Sequence, residues 1–297
     1  MVKALLLYSG GLDSLVVEKI LEELGIDIEL VFFQLPFSKK STFITKNKLH
    51  YIDLRSGSLF NEYLEIIKKP KFNRGSAINP CKDCKIFMLK KAKELMEKID
   101  ADFIATGEVL DERPNSQKKR DFLLMEKETD LIGKILRPLS AKRLDITEIE
   151  KNKIINRDLL FNVQGRQRKL QLSLAKKYNI NFPSPGGGCL LCEKHYSKKL
   201  LDLFNHNKDI TFNHIRLLSL GRYFRKNGLI IVGKDKEDNM ELEKLSSELN
   251  FGLLKNNGSS PSIIYENILD KGFSKKLQKA YSDKDLEKRK LYEKYKI

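Results

Sequence analysis

Six residues near the start of the chain, Ser9-Gly10-Gly11-Leu12-Asp13-Ser14, could hold an anion. Two adjacent glycines let successive backbone N–H groups turn inward, and a helix opening directly behind them adds the partial positive charge of its N-terminus. The string is neither the G-x-x-x-x-G-K-[ST] of a Walker loop nor the G-x-G-x-x-G of a dinucleotide fold. The second chemical resource is sulfur. The chain has four cysteines, and all of them fall into two C-x-x-C pairs, Cys81/Cys84 and Cys189/Cys192. Such use of every cysteine points to thiolate chemistry. Four thiolates would saturate a zinc ion or a [4Fe–4S] cluster, three would leave one iron open to an exogenous sulfide, and a persulfide-bearing pair would need no metal. Cys81 and Cys84 follow the break at Asn79-Pro80, so the helix dipole is expected to lower a thiol pKa there. His50, His195, His206 and His214 have no ligand or triad spacing.

The elements that must position these residues alternate in type. Short apolar strands are expected at 3–8, 28–34, 49–53 and 102–106, with amphipathic helices at 14–24, 58–68 and 83–98 between them. That alternation reads as an α/β fold, a parallel Rossmann-like sheet flanked by helices, plus a smaller α+β C-terminal domain. Residues 111–121 read as a polar loop and 165–178 as a helix, before the punctuation Pro183-Ser184-Pro185-Gly186-Gly187-Gly188. Further on, 215–220 and 229–232 are expected as strands around Lys226-Asn227-Gly228, followed by a helix at 237–249 and a charged tail at 283–297. The boundaries expected are 1–180 for the catalytic domain, 181–210 for a linker completing the cysteine site, and 211–297 for the second domain.

Charge bounds the partners. The net charge of +16 is close to balanced over 1–150, with the excess downstream. A polyanion such as RNA would be drawn to that part, although solvated lysine accounts for the same composition. The first apolar run is too short for a signal peptide and no stretch approaches the ~20 apolar residues of a membrane span. A cytoplasmic location is expected, with thiols kept reduced.

The S-G-G-x-D-S string resembles the PP-loop of ATP pyrophosphatases. Asn79-Pro80-x-x-x-Cys84 resembles the MnmA/TrmU-type 2-thiouridylases, with Cys84 where they carry their first catalytic cysteine. Ala105-Thr106-Gly107-Glu108-x-Leu110, Ser116-Gln117 and Arg137-Pro138-Leu139 resemble the 4-thiouridine synthetases. Gly221-Arg222-x-Phe224, Ile231-Val232-Gly233 and Glu237-x-Asn239 resemble the RNA-binding domain of the NFACT family. Asp111-Glu112 departs from the usual Gly-Gln, and Cys81 and Cys192 go beyond the two-cysteine pattern.

These resemblances imply a tRNA uridine sulfurtransferase that uses ATP and Mg²⁺. ATP would lie against Ser9, Gly10, Gly11, Leu12, Asp13, Ser14, Phe33, Thr106, Gly107 and Glu108, with Asp13 organising the metal and pyrophosphate. Asp13, Cys84 and Cys189 would be catalytic. Cys81, Cys84 and Cys189 would ligate a [4Fe–4S] cluster, or alternatively Zn²⁺, with Cys192 a fourth ligand or a spare. Arg113, Ser116, Gln117, Lys118, Lys119, Arg120, Arg137, Arg166, Arg168, Arg222 and Arg225 would meet the tRNA. The sulfur donor would be free sulfide or a persulfide carrier such as a cysteine desulfurase. A PP-loop ligase acting on a deazapurine-like molecule with structural zinc, and a non-catalytic RNA-binding protein, stay open as alternatives.

Overall fold

The computed structural model describes residues 2–38, 45–182, 188–258, 260–282 and 286–297. It divides into two compact units, Met1–Cys192 and Glu193–Ile297. The division falls earlier than the expected boundary at 210/211, because the helix at 194–206 belongs to the second unit. The Pro183–Gly187 stretch lies outside the described residues.

In the first unit, β1 (Lys3–Leu7), β2 (Asp27–Gln34), β3 (Lys48–Asp53), β4 (Phe103–Thr106) and β5 (Ile135–Leu136) form one parallel sheet in the order β3-β2-β1-β4-β5. The central strands are apolar on both faces (Ala4, Leu5, Leu6, Ile104 and Ala105 are fully buried), as a sheet covered on both sides requires. Helices α1 (Leu12–Glu23), α2 (Gly57–Lys68), α3 (Cys81–Lys98), α4 (Lys119–Glu128), α5 (Glu148–Lys151) and α6 (Lys169–Lys177) supply the cover. Val16, Val17, Ile20 and Leu21 of α1 meet Leu174 and Ala175 of α6 in one apolar cluster. The strand order reverses between β1 and β4, and open α/β sheets bind ligands at the carboxyl ends of strands at such a point. Two elements differ from expectation. The polar stretch after 111 turns into α4 at Lys119, where the Asp121 carboxylate accepts from Lys118 N at 3.3 Å and Asp121 N donates to Lys118 O at 2.8 Å. The two-residue β5 is too short for its alternation to stand out.

The second unit holds α7 (Lys194–His206), α8 (Phe212–Leu217), β6 (Arg222–Arg225), β7 (Leu229–Val232), α9 (Lys236–Glu248), β8 (Gly252–Leu254), β9 (Ile263–Tyr265), α10 (Lys271–Ser282) and α11 (Leu286–Lys290). Its antiparallel sheet runs β6-β7-β9-β8 over Phe224, Ile230, Val232, Ile263, Tyr265 and Leu277. The hairpin forms at Lys226-Asn227-Gly228, but its first strand is 222–225. The expected strand at 215–220 is instead the end of α8 and a turn, because Thr211 and His214 cap a helix there. The letters carrying the second resemblance are packing letters. A Cβ on Gly233 would lie 2.0 Å from Asn239 Oδ1, and that oxygen accepts from Ser262 N at 2.9 Å.

Buried Asp270 anchors the hairpin turn, accepting from Gly228 N and Asn227 Nδ2 at 2.8 Å each. Asp270→Ala leaves those donors unpaired and is expected to lower stability by about 1–3 kcal/mol, read from urea unfolding.

Candidate functional site

Ser9–Ser14 forms the turn from β1 into α1. Gly10 takes a φ of 69°, in the left-handed region that a glycine occupies without a Cβ clash. Ser14 is buried and donates to Gly11 O at 2.9 Å, while its hydroxyl lies 3.2 Å from that of Ser9. The serines thus set the loop, and no side chain caps the helix, so its first N–H groups stay open to an anion. Thr106 ends β4 opposite Leu7, and Gly107 follows. A Cβ on Gly107 would lie 2.8 Å from both Asp13 C and Ser14 N, so only glycine allows this approach. Phe33 is buried in β2.

Asp13 stands at the head of α1. Burial and then the nearby Glu112 carboxylate push its pKa up to about 6, against the opposing pull of Gln171, Arg168 and Arg113. Arg168 in turn binds Glu112 at 2.8 Å. Burial also works to raise Glu108, but Lys85 and Arg137 reverse it and hold the carboxyl below its ordinary range. Lys85 Nζ pairs with Glu108 Oε1, while Arg137 Nε donates to Glu108 Oε2 at 3.1 Å and Nη1 to Glu126 at 2.5 Å. Lys85 follows Cys84 in α3, so this network joins the nucleotide loop to the cysteine helix.

The cysteines of the two pairs come into one neighbourhood. Leu190 N donates to Phe37 O at 2.9 Å and Cys189 bridges Ser38, which brings the second pair to the loop after β2. Tyr63 of α2, fully buried, donates its hydroxyl to Cys84 Sγ at 3.3 Å, and its proton also feels Cys189 and Cys81. Asn79 Nδ2 donates to Cys81 Sγ at 3.3 Å. The expected lowering of the thiol pKa is not found. Burial pushes Cys84 well up despite the Tyr63 hydrogen bond, and burial with the adjacent Cys192 pushes Cys189 up to about 12. Loss of hydration at these partly enclosed sulfurs outweighs the helix dipole. Among the described residues, no three His, Cys, Asp or Glu side chains converge as a metal-holding group. The thiols are neighbours rather than a closed ligand set for iron or zinc, and no step below passes through either.

The expected RNA contacts separate into two groups. Arg113, Lys118, Lys119, Arg120 and Arg166 are exposed, with Lys119 paired to Asp145 at 2.8 Å. Ser116, Gln117 and Arg137 are buried, Arg137 stacked 4.0 Å from the Phe122 ring centre, and so face the interior of the unit rather than an RNA surface. Arg168 is half-buried against Glu112. In the second unit Arg225 is bound by Asp202 at 2.5–2.9 Å, whereas Arg222 lies over Tyr281 beside an open groove. Lys85, Tyr63, Glu112 and Gln171 were not expected at the site. Lys85, one residue past Cys84, carried a positional hint, and Glu112 had shown only as a departure from Gly-Gln.

Residues 1–157 match the family described as Thiamine biosynthesis protein (ThiI). A tRNA-specific 2-thiouridylase MnmA from Sulfurimonas denitrificans is 28% identical over 169 residues, 50% of this chain and 48% of that protein. The chain thus spans about half the length of that curated relative. A solved predicted subunit of tRNA methyltransferase from Methanocaldococcus jannaschii has 17% identity and a TM-score of 0.30, over 46% of this chain and 69% of its own.

Gly107→Ala is expected to weaken ATP binding about tenfold or more, measured by calorimetric titration, because the added methyl must displace the loop backbone. Asp13 supplies a pH signature. A carboxyl that holds its proton more tightly folded than unfolded destabilises the fold as it ionises, so stability falls as pH rises from about 4 through about 6. Asp13→Asn removes this dependence. Without nucleotide it is expected to melt above wild type at pH 7, with the gap closing by about pH 4 in differential scanning calorimetry.

Proposed function

The chain belongs to the ThiI family, and from that membership we propose that it thiolates a uridine of tRNA at the expense of ATP. The observation that carries the reading is the joining of two resources in one unit: an anion-ready loop at the sheet's switch point, and paired thiols linked to it through Lys85 and Glu108. A uracil carbonyl oxygen is a poor leaving group. In the proposed reaction that oxygen attacks the α-phosphorus of ATP, pyrophosphate departs, and the oxygen becomes part of an AMP leaving group. Asp13 Oδ1, buried without a partner in hydrogen-bond geometry among the described residues and close to the Glu112 carboxylate, fits a hydrated Mg²⁺. Asp13 would hold that ion, and the ion supplies neutralisation of the polyphosphate charge.

Sulfur comes from the cysteine site. A persulfide on Cys84 or Cys189 attacks the activated carbon through its outer sulfur, and AMP leaves with the oxygen. The other thiol then closes on the inner sulfur, releasing the thiolated base and leaving a disulfide. Hydrosulfide opens that disulfide to one persulfide and one thiolate, so sulfide alone balances the cycle; a persulfide carrier would serve through the same thiols. The second unit would hold the tRNA backbone. Its open groove, a cavity of about 770 Å³, sets Arg222, Lys234, Lys236 and Arg289 against Asp235 and Glu243.

Purification without oxygen, with assay of iron, zinc, acid-labile sulfide and tRNA thiolation, tests the sulfur path. Cys84→Ser and Cys189→Ser are expected to abolish thiolation while AMP formation persists, and Cys192→Ser to retain both. About four iron and four sulfide per chain, kept in Cys192→Ser and lost in Cys189→Ser, would replace the persulfide by sulfide on a three-cysteine cluster. Stoichiometric zinc lost with any cysteine would make the site structural and end the proposed sulfur path. Separately, the double variant Lys234→Glu, Lys236→Glu is expected to weaken tRNA binding and flatten the dependence of log K on log salt by about one per lost phosphate contact. An unchanged slope would remove the groove from the tRNA path.

A further inference from the structure

Helix α6 carries a side chain that its position does not explain. Gln171, Leu174 and Ala175 form its buried stripe, spaced i, i+3, i+4 and turned toward the core shared with α1. Leu174 and Ala175 are what such a stripe calls for. Gln171 is not, yet it is fully buried and, among the described residues, neither its Nε2 nor its Oε1 has a partner in hydrogen-bond geometry. A buried polar group left without a partner costs about 1–3 kcal/mol, so an amide retained for packing alone would be paired.

Its neighbours show where the amide points. The Gln171 amide acts on the Asp13 carboxylate as a hydrogen-bonding neighbour and favours its ionised form, yet the contact falls short of hydrogen-bond geometry, and among the described residues Asp13 Oδ1 has no other partner. A fully buried amide on α6 and the inward oxygen of the half-buried Asp13 thus stand side by side in a contact too loose to satisfy either. Arg168, at the start of α6, grips Glu112 at 2.8 Å, and Gly165 N donates to Leu110 O at 2.7 Å. These bonds fasten the stretch before Gln171 to the loop that follows β4. Gly165, Arg168 and Gln171 lie beyond the residues 1–157 that match the family, and their partners Leu110, Glu112 and Asp13 within them.

We infer that Gln171 is a binding residue of the nucleotide site, where its amide and the Asp13 carboxylate together receive the metal-bound polyphosphate of a nucleoside triphosphate. An amide can meet both halves of such a ligand, donating to phosphate oxygen and accepting from metal-bound water. The inference rests on the ATP-using reading above and adds to it a residue from outside the matched stretch.

The test is calorimetric titration of the full chain with Mg²⁺·ATP, pyrophosphate with Mg²⁺, and AMP, alongside thermal melting without ligand. Gln171→Leu and the straighter Gln171→Met both remove the orphaned amide at similar volume. Each is expected to melt at or above the wild-type temperature, yet to bind Mg²⁺·ATP and Mg²⁺·pyrophosphate about tenfold more weakly, with AMP affinity within twofold of wild type. Affinities for all three ligands within twofold of wild type, in either folded variant, would overturn the inference. An equal loss for AMP would also overturn it, by showing a general effect on the pocket. Wild-type protein that fails to bind Mg²⁺·ATP would remove the nucleotide reading and the inference with it, whereas normal wild-type binding with unaffected variants would remove the inference alone.

Discussion

Much of the first unit depends on one largely enclosed carboxylate. Glu108 sits where the chain leaves β4, one residue after the glycine that lets this loop touch the phosphate loop. Its two oxygens are taken by Lys85 from α3 and Arg137 from the end of β5. Arg137 is buried, and Lys85 and Glu108 are only partly exposed; withdrawing such charges from water is costly, and a pair of this kind seldom adds net stability over apolar side chains of the same size. Removing one partner is far worse, since it strands a charge in the interior. The arrangement is therefore rigid: α3, the loop after β4 and the strand after α4 are held in fixed relation. Cys84 precedes Lys85 and Gly107 precedes Glu108, so the nucleotide edge and the sulfur edge inherit their separation from this cluster. Arg137 contributes twice, through Glu126 and by lying over Phe122, which leaves little freedom to a side chain that sequence alone would send toward solvent.

The fold was legible wherever a single period dominated. The strands at β1, β2 and β4 and helices α1, α2 and α3 follow from alternation and from the breaks at Gly10-Gly11 and Asn79-Pro80. Pattern failed where elements were short or capped by side chains. Thr211 and His214 turned an apolar run that read as a strand into α8, and Lys118 with Asp121 started α4 within what read as loop. At the site, residue types that name their own chemistry were legible, namely the S-G-G-x-D-S string and the paired cysteines. Charges were not. An arginine in sequence looks like an RNA contact whether it is exposed, like Arg113, or spent in the interior, like Arg137 and Arg225, because the carboxylates that claim it come from distant segments. Gln171 was invisible for a related reason: only burial without a partner sets one glutamine apart from another.

The partial enclosure of Cys84 and Cys189 reverses the simplest expectation for a helix N-terminus. The dipole offers a thiolate well under 1–2 kcal/mol, and only at the first turn. Stripping water from the sulfur costs more, and each cysteine nearby adds to the penalty for a second charge. Cys84 and Cys189 are therefore held as neutral thiols, which are weak nucleophiles and resist idle oxidation. On the proposed persulfide path, that suits a site that acts only after it is loaded with sulfur. The outer sulfur of a persulfide is more acidic than the thiol it replaces, so loading restores a nucleophile that the empty pocket suppresses. Tyr63, whose hydroxyl already points at Cys84 Sγ, is placed to hydrogen-bond the anion as it forms.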